Sequence, residues 1–267
     1  MASPLVQPLK QGTYLRQYRI ESELASGGFS CVYRVSREKD AALYILKECI
    51  FSHATVKRNE YGALVVARLS SEIQSIIHGF LNEARWLARL PPPYFPKLMD
   101  CFAANNTAYM VLDDPHGVPL SQALYSEASW TRWLESVLDA IGILHDHGIL
   151  HLDIKPNNVL ICPNNHIRLI DLSSSSEHRL NPTTIVDSPV SDGFAAPEQY
   201  EQHASLTTAT DLYAFGALVF YCMNRGMPPQ SAETRVSDDA LGEWLEFHRD
   251  HSVWHSIAAF VYAPCFR

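Results

Sequence analysis

A change of periodicity near residue 115 constrains this chain more than any other feature. Upstream, residues alternate as they do along strands: Tyr18, Ile20, Ser22 and Leu24 share one face, and residues 31–35 and 43–47 follow in runs rich in Val, Tyr and Ile. The first two of these strands flank the Ser26-Gly-Gly28 turn, and two more, residues 97–103 and 108–112, flank Asn105 and Asn106. Downstream, from Glu127, the spacing turns helical: Trp130, Trp133, Leu134, Val137, Leu138, Ile141 and Leu144 form one apolar stripe. Residues 212–223 are apolar enough for a buried helix and too few to span a bilayer. A strand-rich first part and a helix-rich second part predict an α+β fold in two lobes. The boundaries fall at about 18–112 for the N-lobe, an antiparallel sheet with one main helix, about 113–119 for a hinge, and about 120–267 for a mainly helical C-lobe.

That main helix is expected where Phe80, Ala84, Leu87 and Ala88 keep helical spacing, with Pro91, Pro92 and Pro93 stopping it. Residues 1–17, with Pro4, Pro8 and Gly12 and no sustained period, read as a loose leader. Residues 50–79 read as a solvated insertion, with a short helix possible at 68–77.

The formal net charge of −8 argues against general nucleic-acid binding, which needs basic surface. Cysteines 31, 49, 101, 162, 222 and 265 are scattered without CxxC or zinc-like spacing, which fits buried free thiols in a reducing compartment. Residues 1–5 lack a basic stretch followed by an apolar run, so neither a signal peptide nor a membrane segment is expected, and the expected location is cytoplasmic.

The segment His151-Leu-Asp-Ile-Lys-Pro-Asn-Asn158 concentrates chemistry. Asp153 can orient a hydroxyl and accept its proton, Lys155 can neutralise a migrating phosphoryl group, and Asn158 offers Mg2+ a neutral oxygen. Phosphoryl transfer needs little else from a protein than positioning and charge stabilisation. Gly27 and Gly28 allow backbone amides to approach phosphate closely, although a tight hairpin explains them equally well. Lys47 ends an apolar strand, where a buried ammonium needs a partner, unless it snorkels to the surface. Asp171 follows the strand-like run 167–170, which would deliver its carboxylate to a site.

In order along the chain stand Leu24-Ala-Ser-Gly-Gly-Phe-Ser-Cys-Val-Tyr33, Tyr44-Ile-Leu-Lys47, the 151–158 segment, Asp171-Leu-Ser173, Ala196-Pro-Glu198 and Asp211-Leu-Tyr-Ala-Phe-Gly216. This ordered set resembles the protein kinases, and in the style of residues 80–90 and 194–200 the bacterial, eukaryotic-like serine/threonine kinases. The resemblance spans about residues 18–267 and implies a two-lobed kinase fold. It also implies an ATP- and Mg2+-dependent transfer to a serine or threonine of a protein substrate. It assigns Asp153 and Lys155 to catalysis and Asn158 and Asp171 to metal. Lys47 with Glu83 is assigned to the nucleotide phosphates. Ala25, Ser26, Gly27, Gly28, Phe29 and Ser30 form the phosphate loop, Val32, Ile45 and Leu160 sandwich the base, and Leu112 is the gatekeeper before the hinge Asp113, Asp114 and Pro115. Asp211 would receive backbone amides of the catalytic loop, and Glu198 would pair with Arg267, after which the resemblance implies one more helix.

Several positions depart from the family pattern. Leu152 stands where an arginine usually docks an activating phosphate, although Thr183, Thr184 and Ser188 remain available for phosphorylation. Ala25 and Ser30 replace glycines, and Ser173 replaces the glycine after the metal aspartate. Ile45 replaces a small alanine at the adenine roof and would crowd the purine. These changes leave a pseudokinase as the rival reading. An aminoglycoside-phosphotransferase-like enzyme is a second rival, opposed by Ala196-Pro-Glu198 and the activation-like segment.

Overall fold

The structure, a computed structural model, describes residues 6–40, 42–51, 56–65, 70–123, 127–177, 190–201 and 204–232. It divides into two compact units, residues 1–116 and 117–267.

The first unit is built on β1 (Tyr14–Leu15), β2 (Tyr18–Ser26), β3 (Ser30–Arg37), β4 (Leu43–Cys49), the short β5 (Lys57–Arg58) and β6 (Leu64–Val65), helix α1 (Ser71–Leu87), β7 (Leu98–Ala104) and β8 (Thr107–Asp113). Six of the strands form one antiparallel sheet in the order β1-β2-β3-β4-β8-β7. Alternation works as the sequence suggests: Cys31, Tyr33 and Val35 of β3 are buried while their neighbours are half-buried. On the face carrying Tyr33, Leu46 and Tyr109, aromatic rings pack in series, with Phe102 stacked on Tyr109 at 5.4 Å and on Tyr18 at 6.3 Å. Helix α1 packs on β4, β7 and β8.

Three expectations are corrected here. The main helix and the short helix expected at 68–77 are one 17-residue helix, capped by Ser70, whose hydroxyl accepts the Ile73 N–H at 3.3 Å. Gly79 does not break it, since ladder bonding and the burial of Ile73, Phe80, Ala84 and Leu87 outweigh one glycine. Residues 6–17 are no loose leader: β1 pairs with β2, and Val6, Leu9 and Leu15 are buried. The described residues of the stretch 50–79 are docked rather than solvated, because Phe51, Val56 and Leu64 are buried and Arg58 finds an acidic partner under the sheet.

The second unit contains β9 (Val118–Pro119), α2 (Glu127–Asp146), β10 (Ile149–Leu150), β11 (Val159–Ile161), β12 (Ile167–Leu169), β13 (Ser176–Glu177) and α3 (Thr208–Met223). Strands β12, β11 and β9 make one small sheet, and β10 and β13 pair as a second. Gly117 leaves little room for a side chain where the chain enters β9: a Cβ there would lie 3.1 Å from the Leu160 Cβ and 3.2 Å from the Ile161 carbonyl oxygen, so its neighbours would have to give by a few tenths of an ångström. In α2 the buried stripe is Trp130, Trp133, Leu134, Val137, Ala140, Ile141 and Leu144. Leu138, expected within it, is 38% exposed and Ala140 takes its place, since Leu138 lies at the edge of the stripe. Helix α3 is apolar on nearly all sides and buried accordingly. Among the described residues, no helix is long and apolar enough to cross a membrane.

Candidate active site

In the second unit, the chain after β10 carries the 151–158 segment, and its side chains converge on Asp153. The Ser191 hydroxyl donates to Asp153 Oδ1 at 2.7 Å, and the Asn158 amide nitrogen donates to Oδ2 at 2.9 Å and to the Asp153 carbonyl at 2.8 Å. Lys155 Nζ lies 2.8 Å from Asp153 Oδ2 and donates to Ser191 Oγ at 2.9 Å. Asp153 and Lys155 are partly exposed, so the carboxylate and ammonium can meet a ligand. With its nitrogen committed to Asp153, Asn158 presents oxygen as the atom for a cation.

The backbone of this segment is held just as closely. Asp211, at the start of α3, accepts the N–H of His151 at 2.9 Å and of Leu152 at 2.8 Å, and the His145 ring lies 2.8 Å from the same carboxylate. The His151 ring spans two neighbours: Nε2 lies 3.2 Å from the Ile170 carbonyl, and Nδ1 accepts the Asp153 N–H at 3.3 Å. Only the neutral Nε2–H tautomer satisfies both. Ile170 in turn donates its N–H to the Asn158 carbonyl at 2.9 Å, which places Asp171 next to the loop. Asp171 itself is left-handed, with φ 66°, an uncommon conformation for a residue with a side chain. The following Leu172 is buried.

Ala196, Pro197 and Glu198 begin a short turn of helix that ends at Tyr200. Glu198 accepts the Thr210 hydroxyl at 2.7 Å, and Gln199 donates to the Leu152 carbonyl at 2.9 Å. The expected partner of Glu198, Arg267, lies outside the described residues, as do Thr183, Thr184 and Ser188. Sequence reasoning missed Gln199; its one signal is a Gln three residues after the start of a turn, the spacing of a reciprocal cap.

In the first unit, Lys47 and Glu83 form a buried pair, with Nζ 2.8 Å and 2.9 Å from the two carboxylate oxygens. Strand β4 delivers the lysine and α1 the glutamate, which excludes the snorkelling alternative. Ile45 shares the Lys47 face by strand periodicity, in register between Arg34 and Leu112, while Val32 lies opposite Lys47. At the β2–β3 turn, residues 25–29 are exposed, and Gly27 donates its N–H to the Ser30 carbonyl at 2.9 Å. Gly27 has no left-handed φ, and a Cβ there would make only an ordinary 3.8 Å contact. The hairpin itself therefore does not require glycine at this point, whereas close approach of a ligand would.

The residues expected to form the hinge are strongly tied. Asp113 donates its N–H to the Lys97 carbonyl at 3.1 Å and accepts the Lys97 N–H through its side chain at 2.7 Å. The buried Asp114 carboxylate pairs with Arg34 at 2.8 Å and accepts the His116 N–H at 2.8 Å. In the second unit Leu160 is half-buried on β11.

A strand lysine paired with a helix glutamate, and an Asp-Lys-Asn loop held from the start of a buried helix, are the parts of a phosphotransferase domain. Residues 18–257 match the protein kinase domain. Serine/threonine-protein kinase D of Synechocystis sp. is 30% identical over 257 residues, 92% of this chain and 47% of that protein. A probable serine/threonine-protein kinase of Clostridium acetobutylicum is 26% identical over 233 residues, 85% of this chain and 33% of that one. The solved structure of PpkA-294 in its apo form superposes with a TM-score of 0.74 at 27% identity, covering 94% of this chain and 91% of its own. The chain belongs to the protein kinase family, with the two-lobed architecture that membership implies. It spans about a third to a half of the length of those two curated relatives.

Proposed function

We propose that this chain transfers the γ-phosphoryl group of ATP to serine or threonine hydroxyls of a protein substrate in the cytoplasm. The observation that carries the reading is the hydroxyl of Ser191 already seated on Asp153 with Lys155 alongside. An alcohol oxygen thus sits where a general base and a cation both reach it, the arrangement an acceptor hydroxyl needs. As the new P–O bond forms and the bond to the ADP oxygen breaks, the hydroxyl proton passes to Asp153 Oδ1. Lys155 offsets negative charge on the transferred group. A short acceptor side chain suits the closeness of Ser191 and Lys155, which favours serine and threonine over tyrosine.

Mg2+ fits the donor types: the oriented Asn158 oxygen and the Asp171 carboxylate are hard ligands that leave room for phosphate oxygens. When bound, it would neutralise the phosphates. Lys47, fixed by Glu83, would hold the α and β phosphates, and the amides of residues 25–30 the outer ones. The base would rest against Val32, Ile45 and Leu160 and meet the backbone after Leu112, at Asp113, Asp114 and Pro115.

Incubation with labelled Mg2+-ATP and a generic basic protein tests the reading. Phosphoserine and phosphothreonine are expected, and Asp153→Asn should abolish transfer while ATP affinity stays within about threefold, because its loss falls on the chemical step. Equal turnover by the variant and the wild type would refute the mechanism.

A further inference from the structure

Leu152 is buried and left-handed, with φ 63°, a conformation a leucine keeps only where its surroundings hold it. Both of its backbone polar groups are gripped. Asp211 Oδ1 accepts its N–H at 2.8 Å, and Gln199 Nε2 donates to its carbonyl at 2.9 Å. The grip closes on itself, since Glu198, the neighbour of Gln199, binds the hydroxyl of Thr210, the neighbour of Asp211. Gln199 completes its own amide by accepting the Ala196 N–H at 3.0 Å. The carbonyl that Gln199 holds belongs to the Leu152–Asp153 peptide, whose other end, the Asp153 N–H, meets His151 Nδ1. Rotation of that peptide plane would swing the Asp153 carboxylate away from Ser191.

We propose that Gln199 is a positioning residue for Asp153, fixing the Leu152–Asp153 peptide plane and coupling the turn at residues 196–200 to the catalytic loop without a phosphate. The inference rests on the reading of Asp153 as the general base. Leu152 has no cation with which to bind a phosphorylated segment, so the ring of hydrogen bonds through Gln199, Glu198, Thr210 and Asp211 supplies the connection instead.

Two variants separate this role from local capping. Gln199→Glu keeps an acceptor for Ala196 but turns a second acceptor toward the Leu152 carbonyl; Gln199→Leu removes both bonds. Each is assayed with Mg2+-ATP and a generic basic protein beside wild type and Asp153→Asn. Turnover should fall about tenfold or more in both, the worth of one well-placed hydrogen bond, with KM for ATP within about twofold. Thermal unfolding of Gln199→Glu should stay within about 2 °C of wild type, as expected where no core group is lost. Lowering the pH gives the new carboxyl a proton to donate, so the ratio of Gln199→Glu turnover to wild-type turnover should rise. Wild-type turnover in Gln199→Glu overturns the proposal, as does a flat ratio, an effect on KM alone, or a loss that merely follows unfolding. If Asp153→Asn transfers at the wild-type rate, the reading of Asp153 fails whatever Gln199 does. If Asp153→Asn is inactive and Gln199→Glu is normal, only the role of Gln199 fails.

Discussion

Arg58 lays its guanidinium along the carboxylate of Glu48, with Nη1 and Nη2 at 2.9 Å and 2.8 Å from the two oxygens, on a sheet face buried from water. The same carboxylate accepts the hydroxyls of Tyr109 at 2.7 Å and Tyr33 at 2.8 Å, so each oxygen has two donors. Burial pushes both phenols up from their usual range, and the Glu48 charge adds to it, so they remain protonated donors. Arg58 also donates to the carbonyls of Gln7 and Gly62, and Tyr33 accepts the Leu9 N–H. One residue of the 50–79 stretch thereby fastens the N-terminal segment, the β5–β6 hairpin and strand β4 together.

Removing one partner leaves a buried charge alone. Arg58→Met should cost about 3–5 kcal/mol of stability, far above the worth of a surface pair. Arg58→Met combined with Glu48→Gln should recover part of that loss, since the charge left behind is gone. Denaturant unfolding of both variants decides it, and a cost below about 1 kcal/mol for Arg58→Met would mean the pair is no more than a surface bridge.

If Asp113, Asp114 and Pro115 meet the base as proposed, they should read donors on it rather than acceptors. Pro115 has no N–H, and those of Asp113 and His116 are committed to Lys97 and Asp114, so none of these three positions has an N–H left to give a base. Replacing the 6-amino group of ATP by oxygen, as in ITP, should weaken binding about tenfold, whereas 1-deaza-ATP should bind within about twofold of ATP. The reverse order in a competition titration would show that a hinge amide makes the main contact.

Ile45 is half-buried on the Lys47 face. If it overlaps the purine, Ile45→Ala should tighten Mg2+-ATP binding, by up to about tenfold given the usual cost of overpacking. Calorimetric titration that finds equal or weaker binding in the variant would mean the sheet has room for the isoleucine.

Two of the thiols, Cys49 and Cys222, should be inert in the folded protein; the expectation of buried cysteines fails at Cys101, which is exposed, and at Cys162, which is half-buried. Burial pushes Cys49 and Cys222 up to about 12, so almost no thiolate exists at neutral pH. Native protein treated with iodoacetamide should leave both unmodified and react only after unfolding. Prompt native alkylation of either, read by mass spectrometry, would contradict the burial.

Much of this was legible in the sequence because it rests on short-range pattern. Strand alternation gave β2, β3, β4, β7 and β8 within a few residues, and the order of motifs singled out Lys47 with Glu83, a pair the structure forms, and Asp153 and Asn158, which it brings into contact. What stayed hidden depends on pairing across long separations. Arg58 and Glu48 share no period, and an arginine amid polar residues reads as solvent-facing until the fold buries its partner. Gln199 was hidden because its value lies in a carbonyl 47 residues away in sequence. Leu138 failed for a milder reason: a stripe wider than the contact beneath it leaves one edge wet.

The Ser191 hydroxyl on Asp153 also says something about selectivity. An incoming alcohol does not enter vacant space; it must evict a resident of its own kind, trading one hydrogen bond for another of nearly equal strength. Ground-state recognition of the acceptor oxygen is therefore close to neutral. If Asp153 is the base we propose, the enzyme would have to recognise its target elsewhere along the polypeptide and reserve the pull of Asp153 for the instant at which the proton leaves.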